Sequence, residues 1–333
     1  MRVGIVGCGL IGGKRAKSLA ALGHTVAAAA DVTLERAQAL AKAYPGCDPL
    51  GGWHELVTRT DLDAVVVATI NDSLAPITLA AVQAGKHVLV EKPAARSADE
   101  LRPVESAAQK AGVTVRVGFN HRFHPALLKA RELVDAGAVG PLMFARGRYG
   151  HGGRVGYDRE WRANPALAGG GELLDQGVHL IDLTRWFLGD VSSVSGFAGT
   201  FFWDMPVEDN GFLCTHHTGG PVGWLHASCS EWKNLFCLEI YGKTGKLQID
   251  GLGGSYGLER LAYYRMLPQM GPPETTIWEY PGEDGSWNAE FRAFEAAVAG
   301  RPGLGATLGD AVAALDVVAA VYAQSAAVAR RAA

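Results

Sequence analysis

Six residues near the start, Gly7-Cys8-Gly9-Leu10-Ile11-Gly12, constrain this chain more than any other stretch. They follow the apolar run 2–6 and open an amphipathic stretch at 11–22, so a glycine turn joins a strand to a helix. In that setting Gly7 permits a tight turn, Gly9 lets backbone N–H groups approach a pyrophosphate, and Gly12 lets the helix pack closely on the strand. The unpaired N–H groups of the helix start then face the phosphates. The string predicts a dinucleotide site, with Cys8, Leu10 and Ile11 supplying the intervening backbone. Asp31 closes the second predicted strand, 25–30, near the spacing of about 20 residues at which an acid accepts from an adenosine ribose. That favours NAD. Arg36, Lys14 and Arg15 keep NADP open, and a cap on a helix beginning near Thr33 is the competing role for Asp31.

Short apolar runs at 64–68, 87–90 and 114–117 continue the pattern, separated by helical stretches at 34–44, 74–84 and 98–111. Strands alternating with helices in this way predict an α/β fold with a doubly wound parallel Rossmann sheet. After Asn120 the texture changes. A helix at 125–135 leads into Gly-rich, aromatic-rich sequence whose period of two, at 194–203, 212–216, 222–232, 236–241 and 246–250, predicts a large, mainly antiparallel open sheet. Helices at 289–299 and 308–329 close an α+β domain. A chain of 333 residues exceeds the usual single-domain size, and the expected division is a dinucleotide-binding domain at 1–119 and a substrate-binding and oligomerisation domain at 120–333.

Thirty-one basic and 34 acidic side chains leave a formal charge of −3, so no polybasic surface argues for nucleic acid or an anionic membrane. Asp316 and Gln324 interrupt the apolar C-terminal stretch, and the start has no secretion-signal pattern. The five cysteines are scattered without a paired spacing, as expected of free thiols in the cytoplasm. Small molecules are the expected partners.

Two further elements carry chemistry. Glu91-Lys92-Pro93 ends the predicted strand 87–90, at the sheet edge where open α/β folds bind ligands. There Lys92 can hold a substrate hydroxyl and stabilise the negative charge left as its proton departs. The second element begins at Gly169-Gly170-Gly171, whose glycines would let backbone approach a ligand, and continues through Asp175, His179 and Asp182. Asp175 and His179 stand four apart, on one helix face, with Asp182 further along it. Histidine is the natural base near neutral pH, and a neighbouring carboxylate orients its ring. Tyr149, His151, Trp161 and Arg162 lie in a stretch suited to recognising a polyhydroxylated ring, or a carboxylate or phosphate. The ten histidines form no set at recurring metal-ligand spacing, so no metal is expected.

In this order the motifs resemble the Gfo/Idh/MocA oxidoreductases, a family that includes inositol dehydrogenases and glucose–fructose oxidoreductase. Gly85-Lys86-His87-Val88-Leu89-Val90-Glu91-Lys92-Pro93 resembles that family's most specific string, and Gly118-Phe119-Asn120-His121-Arg122-Phe123-His124-Pro125 its domain-crossing segment. The resemblance implies a catalytic set of Lys92, Asp175 and His179, with Asn120 and Arg122 at the junction of cofactor and substrate. It places Glu91 with the cofactor residues, and Thr69-Ile70-Asn71 resembles the loop over the nicotinamide ribose. Ile70 and Leu74 depart from the proline and histidine usual there. The expected activity is an NAD(P)-dependent dehydrogenase acting on a secondary alcohol of a cyclic polyol, sugar or sugar derivative. The alternatives are an NAD-dependent glycoside hydrolase and a non-catalytic NAD-binding regulator. A homodimer or homotetramer through the C-terminal sheet is the expected assembly.

Overall fold

The structure is a computed structural model that describes residues 1–332, with side chains through Ala326. The chain forms two compact units, each discontinuous in sequence. One comprises Met1–Asn120, Ala166–Gly169 and Trp287–Val312, and the other comprises His121–Pro165, Gly170–Ser286 and the chain from Ala313 onward.

The first unit runs β1 (Arg2–Val6), α1 (Leu10–Ala21), β2 (Thr25–Ala30), α2 (Leu34–Ala41), β3 (Asp48–Leu50), α3 (Trp53–Thr58), β4 (Ala64–Val67), α4 (Asn71–Gln83), β5 (His87–Glu91), α5 (Ala98–Ala111) and β6 (Val115–Gly118). Its six strands are parallel in the order β3-β2-β1-β4-β5-β6. This is the Rossmann order. The direction of winding reverses between β1 and β4, which sets a crevice at the carboxyl ends of those strands. Val3, Ile5, Val65, Val66, Val67, Val88, Leu89 and Val90 are wholly buried, so the central strands read as continuous apolar runs rather than alternating ones. β3 and α3 escape sequence reading because three and six residues are too few to establish a period.

The second unit opens with the tight turn Asn120–Phe123, whose first residue still belongs to the first unit. It continues through α6 (Pro125–Asp135) and β7 (Leu142–Gly150) to Pro165, the first residue of α7 (Pro165–Ala168), whose other residues belong to the first unit, and resumes at Gly170 to run into α8 (Val178–Leu188). Strands β8 (Val191–Gly199), β9 (Asn210–His217), β10 (Val222–Ser228), β11 (Leu235–Gly242), β12 (Gly245–Asp250), β13 (Glu259–Arg265) and β14 (Glu274–Tyr280) follow. The eight strands lie in the order β14-β13-β12-β11-β7-β10-β9-β8, antiparallel except for the parallel pair β7–β10. Helices α6 and α8 pack on one face. The other face carries exposed Phe197, Phe212 and Trp224 beside an Arg146–Glu239–Lys246 ion-pair row. The alternation expected across 222–232 stops at Ser228, and Trp232 turns into a loop at φ +60°.

Helices α9 (Ser286–Val298) and α10 (Leu308–Ala332) end the chain. Phe291 and Phe294 of α9 enter the core formed by Val3, Ile5 and Leu89. The compact units therefore differ from a division at 119/120, because the chain returns to complete the first core. α10 is long and apolar enough to cross a membrane by length and composition alone. It is a packed helix here: Val317, Val318 and Val321 are buried, and Gln324 and Ser325 bond the backbone of edge strand β8 at Val194, Gly196 and Ala198. Those bonds occupy groups that an open sheet edge would expose.

Candidate active site

The glycine turn divides its work as the spacing implies. Gly7 sits at φ +93°, and a Cβ on it would stand 2.4 Å from the Ala68 carbonyl oxygen. A Cβ on Gly12 would stand 1.9 Å from the Gly7 carbonyl, whereas one on Gly9 would meet nothing within 4 Å. Gly7 and Gly12 are therefore required by the protein's own packing, and Gly9 leaves an open backbone approach. Leu10 begins α1 with its side chain 78% exposed, and no side chain caps the helix. Backbone donors at such a start suit an anion, so these residues fit the pyrophosphate of a dinucleotide.

Asp31 performs a local task as well. Its Oδ2 accepts the Cys8 N–H at 2.8 Å and its Oδ1 accepts the Thr33 N–H at 2.9 Å, tying the glycine turn to the segment that leads into α2. A carboxylate offers about four lone-pair sites, so ribose hydroxyls can still be accepted. Burial, with Asp31 adding its charge, pushes the Cys8 thiol up to about 12. Arg15 departs from the NADP expectation: it is fully buried, with Glu91 at 2.5 Å and Glu290 at 2.6 Å. Two carboxylates consume its fork, whereas Lys14 and Arg36 remain exposed.

Other predicted cofactor residues sit at the carboxyl edge of the same sheet. Thr69 donates to the Ile70 carbonyl at 3.3 Å, and the buried Asn71 donates its amide to the Ala168 carbonyl at 2.9 Å. Glu91 ends β5 facing Arg15, so its carboxylate serves an internal ion pair. Lys92 follows, half-buried, with a cis peptide to Pro93. Asn120 is buried just past β6.

In the second unit the residues Leu173–Gly177 form a π turn that runs into α8. Such turns are rare and frequent at functional sites. Asp175 lies in the turn and the buried His179 near the start of α8. The expectation that Gly170 and Gly171 admit a ligand is corrected by their neighbours. A Cβ on Gly170 would lie 2.2 Å from the Tyr322 hydroxyl, and one on Gly171 would lie 1.9 Å from the Glu208 carbonyl oxygen. Those glycines let the protein approach itself. The Glu208 carboxylate accepts from the Gly171 N–H at 2.9 Å, the Leu173 N–H at 3.1 Å and the Tyr322 hydroxyl at 2.6 Å. Burial raises its pKa against the lowering effect of those bonds.

Around His179 the packing is aromatic. The His121 ring meets it nearly perpendicularly, with centroids 3.7 Å apart, and Tyr149 lies 5.9 Å from it. Burial, with Tyr256 adjoining and the charges of Glu172 and Asp175 nearby, holds the Tyr149 phenol well above its usual pKa and keeps it a donor. Arg162 donates to Asp175 at 3.0 Å; burial opposes its charge, but Asp175 outweighs that and raises its pKa. Its guanidinium also covers the Trp161 ring at 4.6 Å. His151 accepts the Gly153 N–H at Nδ1 and points Nε2 toward Glu172, 3.6 Å away. Arg122 forks onto Asp182 at 2.8 and 2.5 Å, both side chains buried, and so braces the segment before α6 against helix α8.

The second unit thus gathers Asp175, His179, Tyr149 and Arg162, with His151 beside Glu172. Sequence reasoning missed His121, Glu172, Tyr256 and Glu208. His121 and Glu172 lay inside strings already singled out, whereas Tyr256 and Glu208 stand in no motif.

A sheet wound in this order, with this glycine turn, defines a dinucleotide-binding Rossmann fold. Residues 1–119 match the sequence profile of an oxidoreductase family with an NAD-binding Rossmann fold, and residues 127–248 match that of the Gfo/Idh/MocA C-terminal domain. The chain belongs to the Gfo/Idh/MocA family. It is 36% identical to a dTDP-3,4-didehydro-2,6-dideoxy-alpha-D-glucose 3-reductase of Streptomyces violaceoruber, over 75% of this chain and 72% of the relative. It is 35% identical to inositol 2-dehydrogenase 2 of Saccharopolyspora erythraea, over 57% of this chain and 54% of the relative. The matched stretches span little more than half the length of that inositol dehydrogenase and of the levoglucosan dehydrogenase of Pseudarthrobacter phenanthrenivorans, to which the chain is 28% identical over 63% of its own length. Among solved structures, levoglucosan dehydrogenase in complex with NADH and levoglucosan superposes with a TM-score of 0.87 at 23% identity, covering 98% of this chain and 97% of that one. That likeness concerns the fold.

Proposed function

We propose that this protein is an NAD-dependent dehydrogenase of the cytoplasm that oxidises a secondary alcohol of a cyclic polyol, sugar or sugar derivative to a ketone, or runs the reverse reduction. The proposal rests above all on His179, a buried imidazole packed against His121 in a cluster with Tyr149, one turn beyond Asp175. The names of the relatives, an inositol dehydrogenase and a reductase of a nucleotide-linked sugar, support the substrate class. Bound nicotinamide supplies the hydride acceptor; NADP is the second choice. His179 takes the hydroxyl proton, Lys92 holds the oxygen as negative charge develops, and Asp175 orients and tunes the pair. Gly7 through Gly12 with Asp31 hold the adenosine end and pyrophosphate, and Thr69, Asn71, Glu91 and Asn120 frame the nicotinamide end. Tyr149, His151, Trp161 and Arg162 hold the ring, and Arg122 stiffens their support.

The open face of the eight-stranded sheet, with Trp224 59% exposed, is the proposed contact of a homodimer or homotetramer. Light scattering on the eluting protein reads this directly, and a monomer would overturn it. For the activity, inositols, aldoses, glucosides and uronic acids are offered with NAD and with NADP while reduced nicotinamide is followed by absorbance. Net NADH supports the dehydrogenase. Glycoside release without net NADH points to a hydrolase, and cofactor binding with neither product points to a regulator.

A further inference from the structure

His179 is 3% exposed, and oxidation of an alcohol leaves it holding one proton for every hydride passed to the nicotinamide. A substrate ring in place shields the base on the side from which that proton came, so the proton must depart through protein groups before the next turnover. A buried imidazolium that cannot discharge would stop the cycle, because burial penalises the charged form.

The rings packed on His179 differ in what they can carry. Burial, with Tyr256 adjoining and the charges of Glu172 and Asp175 nearby, holds the Tyr149 phenol well above its usual pKa, so it already bears its proton and takes no second. The buried His121 ring stands nearly perpendicular to His179, with centroids 3.7 Å apart. An imidazole that gains a proton at one nitrogen can release it at the other. The His124 ring follows, 5.6 Å from that of His121 and inclined to it by 28°. Its Nδ1 meets the Glu259 carboxylate at 2.9 Å, and its Nε2 lies 3.9 Å from Asp284. Glu259 is enclosed and also accepts the Ala126 N–H at 2.8 Å and the Gly253 N–H at 3.2 Å, whereas the Asp284 side chain is 24% exposed. Three imidazoles thus run from the proposed base to a carboxylate that reaches solvent, all within the second unit.

We propose that His121 and His124 form the path by which the proton taken by His179 reaches solvent at Asp284. The inference rests on the dehydrogenase reading above and deepens it. In each oxidation the carbinol hydrogen leaves with its bonding pair for the nicotinamide, and the hydroxyl proton passes to His179 and then to His121. His121 releases it from its second nitrogen toward His124, a gap spanned by rotation of the ring or by one water. Asp284 accepts the proton from His124 and yields it to water, which returns His179 to its neutral form. In the reverse reduction the proton enters along the same groups.

The test mixes the full-length enzyme and NAD with myo-inositol, glucose or methyl glucoside in a lightly buffered stopped flow, and follows NADH and, by a pH indicator, released protons. In the wild type the two signals are expected to rise together. His121→Phe keeps an aromatic ring against His179 but carries no proton. Its proton release should lag behind the first equivalent of NADH, and kcat should fall roughly tenfold or more. Imidazole added to the solution should restore both. Asp284→Asn can still accept from the Ser286 N–H and hydroxyl, which Asp284 takes at 3.0 and 2.6 Å, but cannot receive the proton, and should show a shorter lag. Should His121→Phe fail to fold, the lag in Asp284→Asn decides. Protons in step with NADH in both variants overturn the path. A loss of kcat in His121→Phe with no lag and no recovery in imidazole reveals packing alone and also overturns it, leaving the dehydrogenase reading standing. No NADH from the wild type on any of these rings overturns that reading and the path with it.

Discussion

The Arg15 guanidinium lies completely buried within 2.5 Å of the Glu91 carboxylate, joining helix α1 of the glycine turn to the end of strand β5 that leads into Lys92. Glu290 of α9 closes the triad from the other side. A side chain at position 118 would intrude on it, since a Cβ there would stand 2.7 Å from the Arg15 guanidinium. Losing the cation would leave two carboxylates buried together, a change worth about 3–5 kcal/mol. Arg15→Met is expected to lower unfolding free energy by that amount in urea titrations. A loss below about 1 kcal/mol would show the triad to be dispensable.

Lys92→Ala and His179→Ala should each lower kcat by roughly 100-fold or more, as expected when a positioned acid or base is removed. Circular dichroism should stay unchanged. Near-normal turnover in either variant removes that residue from the mechanism.

Glu208 holds the start of the π turn by two N–H groups and is itself held by Tyr322. Glutamine at 208 keeps the volume but presents an amide donor where only acceptors fit, at about 1–3 kcal/mol of stability. We expect Glu208→Gln to reduce kcat about tenfold through misplacement of Asp175 and His179. The KM for NAD should not move, because the glycine turn belongs to the other unit. Tyr322→Phe, which removes one donor, should have the smaller effect. A rise in the KM for NAD with kcat intact would contradict the assignment.

Acid stability should report on Asp209. Burial alone would raise its pKa, but bonds from the Asn210 amide and the Trp203, Phe202 and Phe201 N–H groups outweigh that and lower it. A depressed folded pKa means a stabilising contribution that is complete above the usual carboxylate pKa of about 4 and fades as pH falls through the folded value. Asp209→Asn should therefore be less stable than the wild type near neutral pH and show a flatter loss below about pH 4 in melting temperature. Parallel acid limbs for the two proteins would refute this.

The strand-turn-helix at Gly7–Gly12 was legible in the sequence because tight turns and close packing act over neighbouring residues, and the Rossmann strands were legible because strands buried on both faces are continuously apolar. That Asp175 and His179 fall on one continuous helical segment was likewise a matter of spacing, although the π turn was not. The middle strand β7 escaped because its inward positions include Ala145 and Gly147, whose side chains are too small to mark an apolar period of two against the outward Arg146 and Arg148. The tertiary structure alone decided that Arg15 serves Glu91 and Glu290, that Arg122 braces Asp182, and that Glu208 and Tyr322 anchor the π turn. Periodicity and turn chemistry are written into adjacent residues, whereas the partner of a buried charge is set by which distant segments the topology brings within about 3 Å of it.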